Sequence, residues 1–225
     1  RAPDAAAREA AVSALPAVVG NVLPEATVWA CTTCGWCETA CPVLIEQGPR
    51  LVDLRRHQVL VESAFPEEAA RVFKNIETQG NPWGIGSNRR AEWCDDLAVP
   101  RAGGGDFEWL FFVGCAGAFD DRQKKVSRAI VKIQRAAGVK FAILGEEETC
   151  NGETARRLGN EYLYQMQATA NVELMKGYGV KKVIAQCPHC LNTIKNEFPQ
   201  FGGDFEVVHH SELIARLVSE GKLAP

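Results

Sequence analysis

The chain has no stretch of apolar sequence long enough to span a bilayer; its most apolar segment, residues 109–119, is strand-sized and interrupted by Gly114 and Gly117. Its first residues do not show the basic block followed by an apolar block that marks a secretory signal peptide. Excess charge of either sign is also missing. With 25 Lys and Arg against 28 Asp and Glu, the net charge is −3 at pH 7, which leaves neither a nucleic-acid footprint nor a polybasic membrane patch. No glycine-rich dinucleotide fingerprint follows a strand, and the triple glycine at 103–105 lacks the lysine and spacing of a phosphate loop. Nor does any serine or cysteine come with a recognisable histidine and carboxylate in a nucleophile and base arrangement.

What the chain does have is cysteine, nine residues of it, grouped at ligand spacings rather than spread as a disulfide framework. That usage predicts a reducing compartment, the cytoplasm. Cys31, Cys34, Cys37 and Cys41 fall in a C-x2-C-x2-C-x3-C-P run ending at Pro42. This is the bacterial ferredoxin pattern for a [4Fe-4S] cluster, in which thiolates on one tight loop occupy corners of a cube. In two-cluster ferredoxins the fourth cysteine of such a run serves the other cluster. Either Cys41 closes a local cluster, or it belongs to one shared with a segment outside this chain. Cys94, isolated beside Trp93, reads as a small buried hydrophobe.

The organisation expected from periodicity and punctuation is α/β, with a small helical iron–sulfur domain followed by a Rossmann-like parallel domain. Residues 1–30 form an N-terminal arm broken by Pro16 and Pro24, and residues 31–100 a helical ferredoxin-like domain with helices over 51–62 and 67–77. Residues 101–106 form a glycine-rich linker, and residues 107–225 the α/β domain. Strands are expected over 107–113, 139–144, 180–185 and 205–208. Helices are expected over 121–137 and 153–176, with a last one N-capped by Ser211.

Within that domain Cys115 follows the first strand, Cys150 the loop after the second, and Cys187-Pro-His-Cys190 the third. Ligands of an open parallel sheet bind outside the carboxyl ends of its strands, so these four thiols are expected to converge on a second metal site. A second [4Fe-4S] cluster is the first reading and a four-cysteine zinc site the alternative. His189, His209 and His210 are expected to be solvated or hydrogen-bonded rather than ligands, His57 lies in a helix among Arg55 and Arg56 with no visible partner, and Glu146-Glu-Glu148 reads as a solvated loop, with a face for an electron-transfer partner as the alternative.

Gly114-Cys115, Glu148-Thr-Cys150-Asn-Gly-Glu153 and Cys187-Pro-His-Cys190, after a ferredoxin-type run, resemble the heterodisulfide reductase-related iron–sulfur proteins with a cysteine-rich domain of the Cys-Cys-Gly type. Asn81-Pro-Trp-Gly84, Phe119-Asp-Asp-Arg122 and Ala155-Arg-Arg-Leu-Gly-Asn-Glu161 are similar to the branch passing electrons from electron-transfer flavoprotein to menaquinone. The resemblance implies an iron–sulfur electron-transfer subunit of an oxidoreductase, with two [4Fe-4S] clusters, a flavoprotein donor and a membrane haem b or quinone acceptor. It implies a peripheral place on the inner face of the cell membrane. Where the family signature has two adjacent cysteines this chain has Cys150-Asn151, which leaves four thiolates rather than five. Only one ferredoxin run and one cysteine-rich domain are present and the chain starts at Arg1, so an interior portion of a longer protein or one subunit of a split version is expected. The competing readings are a heterodisulfide reductase or lactate/glycolate oxidase type of subunit acting directly on substrate, and a zinc-binding interaction module.

Overall fold

The structure is a computed structural model that describes residues 4–224; the ends of the expected arm and of the last domain, residues 1–3 and 225, lie outside the described residues. The chain separates into two compact units. One contains the described residues through Phe65 together with Arg157–Gly159, and the other 66–156 and 160–225.

In the first unit, helices α1 (Ala5–Ser13), α2 (Glu25–Ala30), α3 (Trp36–Thr39) and α4 (Gln47–Leu60) follow one another. Asp4 caps α1, accepting the Ala7 N–H at 2.7 Å. The arm thus contains a second helix, α2, that Pro24 starts rather than prevents, because proline costs nothing at a helix entrance. Helix α4 begins earlier than its periodicity predicts, taking Pro49 into its first turn for the same reason. Val28, Val52, Val59 and the side chain of Arg55 form the buried interior.

The second unit opens with α5 (Glu67–Gln79), whose Ala69, Phe73 and Ile76 are buried at helical spacing. Its centre is a four-stranded parallel sheet in the order β2-β1-β3-β4, with β1 at Trp109–Phe112, β2 at Phe141–Ala142, β3 at Lys182–Ala185 and β4 at Glu206–His209. All four residues of β1 are buried, the continuous apolar run required of a central strand with both faces covered. Along the chain come α6 (Gly114–Phe119), α7 (Asp121–Ala136), α8 (Glu153–Arg157), α9 (Glu161–Gly177), α10 (Pro188–Asn192) and α11 (His210–Ser219). Asp120 caps α7 through the Gln123 N–H at 2.8 Å, and α7 buries Ser127, Ile130, Val131 and Gln134 at helical spacing.

Three expectations need correction. The compact units divide between Phe65 and Pro66, not at 101–106. Ala91, Trp93, Cys94 and Val99 share one apolar core with Trp109, Phe111 and Val113, which places 66–100 with the sheet. Arg101 bridges to Ile143, and the Ala102 N–H donates to Ile143 O at 2.9 Å, so the expected linker starts docked on the β2 side of the sheet. The helix expected over 153–176 is two helices, because Gly159 turns left-handed at φ +89 and Asn160 starts α9 by capping the Leu163 N–H. The last helix is N-capped by His209 rather than Ser211, which lies in its first turn.

Two candidate cysteine centres

The first centre lies in the first unit. Cys31 ends α2 in an extended conformation, and the chain then reverses through two left-handed residues, Thr33 (φ +54) and Gly35 (φ +74). Gly35 opens α3, which carries Cys37, and Cys41 follows Ala40. The turns aim backbone N–H groups at sulfur: Thr33 donates to Cys31 Sγ and Ile45 to Cys41 Sγ, both at 3.3 Å. The Trp36 N–H lowers the pKa of the Cys34 thiol, and the Ile45 N–H does the same for Cys41. Glu38 accepts the Gly48 N–H at 2.7 Å and ties this loop to the first turn of α4. Cys34 and Cys37 are exposed, Cys31 and Cys41 half-buried.

Arg55 of α4 supports the loop, a role the sequence did not reveal. Its guanidinium donates to Val28 O (2.7 and 3.0 Å), Trp29 O (3.4 Å), Cys31 O (2.6 Å) and Arg157 O (2.9 Å). It also lies 5.4 Å over the Trp29 ring, a cation–π distance.

The second centre lies at the carboxyl ends of the strands in the second unit. In the order β2-β1-β3-β4 the chain moves to one side of β1 and then to the other, so the ends of β1 and β3 flank a topological switch point. Cys115 emerges just after β1, and Cys187 just after β3, where it N-caps α10; Pro188 takes the first helical position and Cys190 lies one turn on. Cys150 arrives on the loop after β2, held by its own N–H to Gly80 O at 2.7 Å and by Asn171 Nδ2 donating to its carbonyl at 3.0 Å.

The four thiols meet as two contacting pairs. Donation from Cys150 draws the Cys115 thiol down to about 7, and donation from Cys190 draws Cys187 down to about 6. The donors Cys150 and Cys190 are pushed up, first by that donation and then by burial. The two pairs adjoin at Gly114, at φ +73, which precedes Cys115 and whose absent Cβ would stand 3.1 Å from Cys190 Sγ and 4.0 Å from Cys187 Cβ. No three His, Cys, Asp or Glu side chains among the described residues close on a single metal ion.

Behind Cys115 sits a buried ion pair. Arg90 and Glu148 are each 2% exposed and meet at 2.8 Å. Glu148 also accepts the N–H groups of Val113 (2.9 Å) and Gly114 (2.8 Å), while Arg90 Nη2 reaches Cys115 Sγ at 3.5 Å. Burial opposes the Arg90 charge, but Cys115 and then Glu148 outweigh it and raise the pKa above the ordinary arginine value. Glu148 is thus a buried anchor and not part of a solvated loop. A glutamate within three consecutive acidic residues carried no signal of this in the sequence. Asn151, 4% exposed, accepts the Glu153 N–H through Oδ1 at 2.9 Å, while its Nδ2 has no hydrogen-bond partner.

His189 lies 3.1 Å from Glu153 and His57 3.1 Å from Glu62, both at exposed positions. His209 bonds Gln186 O at 3.0 Å and Ser211 Oγ at 2.7 Å, and burial lowers the pKa of His210. Cys94 is buried in the apolar core, its thiol donating to Ala91 O at 3.2 Å.

The donor chemistry of both centres fits iron–sulfur ligation: cysteine sulfur only, backbone N–H groups aimed at sulfur, and in the second centre a buried cation 3.5 Å from Cys115 Sγ. Residues 109–195 match the cysteine-rich domain family. The chain is 46% identical over 211 residues to EtfAB:quinone oxidoreductase of Syntrophomonas wolfei, covering 91% of this chain and 30% of that protein. It is 43% identical over 224 residues to the probable iron-sulfur-binding oxidoreductase FadF of Bacillus subtilis, covering 96% and 32%. With a component of the dihydromethanophenazine:CoB–CoM heterodisulfide reductase of Methanosarcina mazei it shares 31% over 207 residues, covering 87% and 48%. The chain therefore spans about a third of the first two relatives and about half of the third. No solved structure matches it significantly.

Glu148→Ala strands Arg90 in the interior and leaves two backbone N–H groups without their acceptor. The expected loss of stability is on the order of 3–5 kcal/mol, as for breaking a buried pair from one side. Urea unfolding followed by circular dichroism measures it, and a loss below about 1 kcal/mol would show that Glu148 does not anchor this pocket.

Proposed function

We propose, from the match of residues 109–195 to the cysteine-rich domain family and the similarity to heterodisulfide reductase-type iron–sulfur oxidoreductases, that this chain is the iron–sulfur electron-transfer part of an oxidoreductase. Cys31, Cys34, Cys37 and Cys41 hold one [4Fe-4S] cluster, and Cys115, Cys150, Cys187 and Cys190 the other. The observation that carries this reading is the convergence of four sequence-distant thiols at one sheet edge, backed by a buried cation. A bound cluster of this kind supplies one-electron outer-sphere transfer. The protein's own work is then to hold sulfur in place and to set the electrostatics around it. Gly114 opens room for Cys190, Glu148 fixes the turn that presents Cys115, and the Gly152 N–H donates to Cys150 Sγ at 3.4 Å.

The proposed donor is electron-transfer flavoprotein or a similar reduced flavoprotein and the proposed acceptor a membrane haem b or quinone module, a reading supported by a relative named EtfAB:quinone oxidoreductase. Among the described residues no helix is long and apolar enough to cross a membrane. Attachment at the inner face of the cell membrane is proposed to run through a partner or through a segment outside this chain.

Anaerobically prepared protein should contain about eight irons, matched by acid-labile sulfide, if each centre holds a four-iron cluster; zinc without sulfide would overturn the assignment. Cys187→Ser and Cys190→Ser should each abolish one electron paramagnetic resonance signal of the reduced protein, and Cys34→Ser the other. Loss of both signals in every variant would mean a single shared centre.

Reduced electron-transfer flavoprotein should reduce the clusters faster than reduced nicotinamide does in stopped-flow absorbance, since no dinucleotide fingerprint accompanies the strands. Rapid reduction by nicotinamide alone would defeat the donor assignment.

Asn151→Ala should leave iron content unchanged and shift the reduction potential of the second centre, because a buried, unpartnered amide next in sequence to Cys150 is proposed to act as a hydrogen-bond donor to the centre rather than as a ligand. Iron loss from this variant would make Asn151 a ligand or an indispensable scaffold.

A further inference from the structure

Two arginines are buried to the same extent, 2% exposed, and only one of them is neutralised. Arg90 has Glu148. Arg55 has no carboxylate partner among the described residues; every hydrogen bond it makes ends on a carbonyl oxygen. Carbonyl dipoles satisfy its N–H groups but leave its net charge in place, and burying an uncompensated charge costs several kcal/mol even after relaxation. A clip that needed only hydrogen-bond donors would not require a full positive charge there. The guanidinium donates directly to Cys31 O at 2.6 Å. Its unmatched charge therefore sits against the first of the four cysteines of the ferredoxin-type loop.

We propose that Arg55 is the built-in counter-charge of the centre formed by Cys31, Cys34, Cys37 and Cys41, a positioning residue that fixes the Cys31 turn and favours the more negative, reduced state of whatever cluster those thiolates hold. The inference rests on the cluster reading of these four cysteines. Accepting an electron adds one negative charge next to a low-dielectric pocket that already contains an unpaired cation, so the reduced form gains more from Arg55 than the oxidised form does. The same guanidinium closes the carboxyl end of α2, where a cation is favoured by the helix carbonyls.

The test uses the full chain with clusters reconstituted, carrying Arg55→Gln or Arg55→Lys, in a redox titration followed by electron paramagnetic resonance. Arg55→Gln should move the potential of the first centre to a more negative value, Arg55→Lys should stay near wild type, and the second centre should be unchanged in both. If Arg55→Gln loses the first cluster while Arg55→Lys keeps it near the wild-type potential, charge is again what the site requires. A fully loaded Arg55→Gln protein with the wild-type potential overturns the proposal. So does equal loss of the cluster from both variants, which would make the hydrogen-bonding fork the whole of the role. Wild-type protein that takes up no iron at these four cysteines would instead overturn the underlying cluster reading, a result seen before any variant is titrated.

Discussion

The second unit depends on one carboxylate. Glu148 joins three pieces of chain that are far apart in sequence: the turn after β1, through the N–H groups of Val113 and Gly114; the segment before the sheet, through Arg90; and its own loop, which delivers Cys150 two residues later. Backbone N–H groups at the mouth of a buried strand must find an acceptor within the protein. A charged acceptor needs a counter-ion in the same place, which Arg90 supplies. The same Arg90 Nη2 that bonds Glu148 at 2.8 Å also lies 3.5 Å from Cys115 Sγ. Structural satisfaction and the electrostatics of the sulfur pocket are thus solved by the same three side chains, and the segment 66–100 is bound to the sheet by the ion pair as well as by the Trp93 core.

This explains which parts of the molecule were legible in the sequence. The cysteine spacing, the strand and helix alternation, and the meeting of Cys115, Cys150, Cys187 and Cys190 at one sheet edge follow from local pattern and from the rule that parallel sheets bind at their carboxyl ends. The unit boundary did not follow, because the triple glycine at 103–105 is a strong local signal whereas the packing of Trp93 and Val99 under β1 is a long-range one. Gly159 was hidden for a related reason: one glycine inside helical periodicity is tolerated often enough that its left-handed φ cannot be read from the pattern. Arg55, Arg90 and Glu148 escaped notice because charged residues are normally at the surface, and nothing local marks the ones that are not.

The two centres also solve their electrostatic problem differently. Cys34 and Cys37 are open to solvent, so water screens much of the charge on that loop, and the buried Arg55 bonds the carbonyl of Cys31 rather than any thiol. Cys150 and Cys190 are buried, so water contributes little, and the local cation is already matched by Glu148. Neutral hydrogen-bond donors are the remaining means of holding negative charge there: the Gly152 N–H on Cys150 Sγ, and the Asn151 amide that has no other partner.

That constraint bears on why asparagine occupies the position where the related signature has a second adjacent cysteine. A fifth thiolate would bring another negative charge into a pocket whose one arginine is spoken for, and the cost of an unmatched buried charge is several kcal/mol. Asparagine fills a similar volume, keeps the backbone turn through its Oδ1 bond to the Glu153 N–H, and offers a donor instead of a charge.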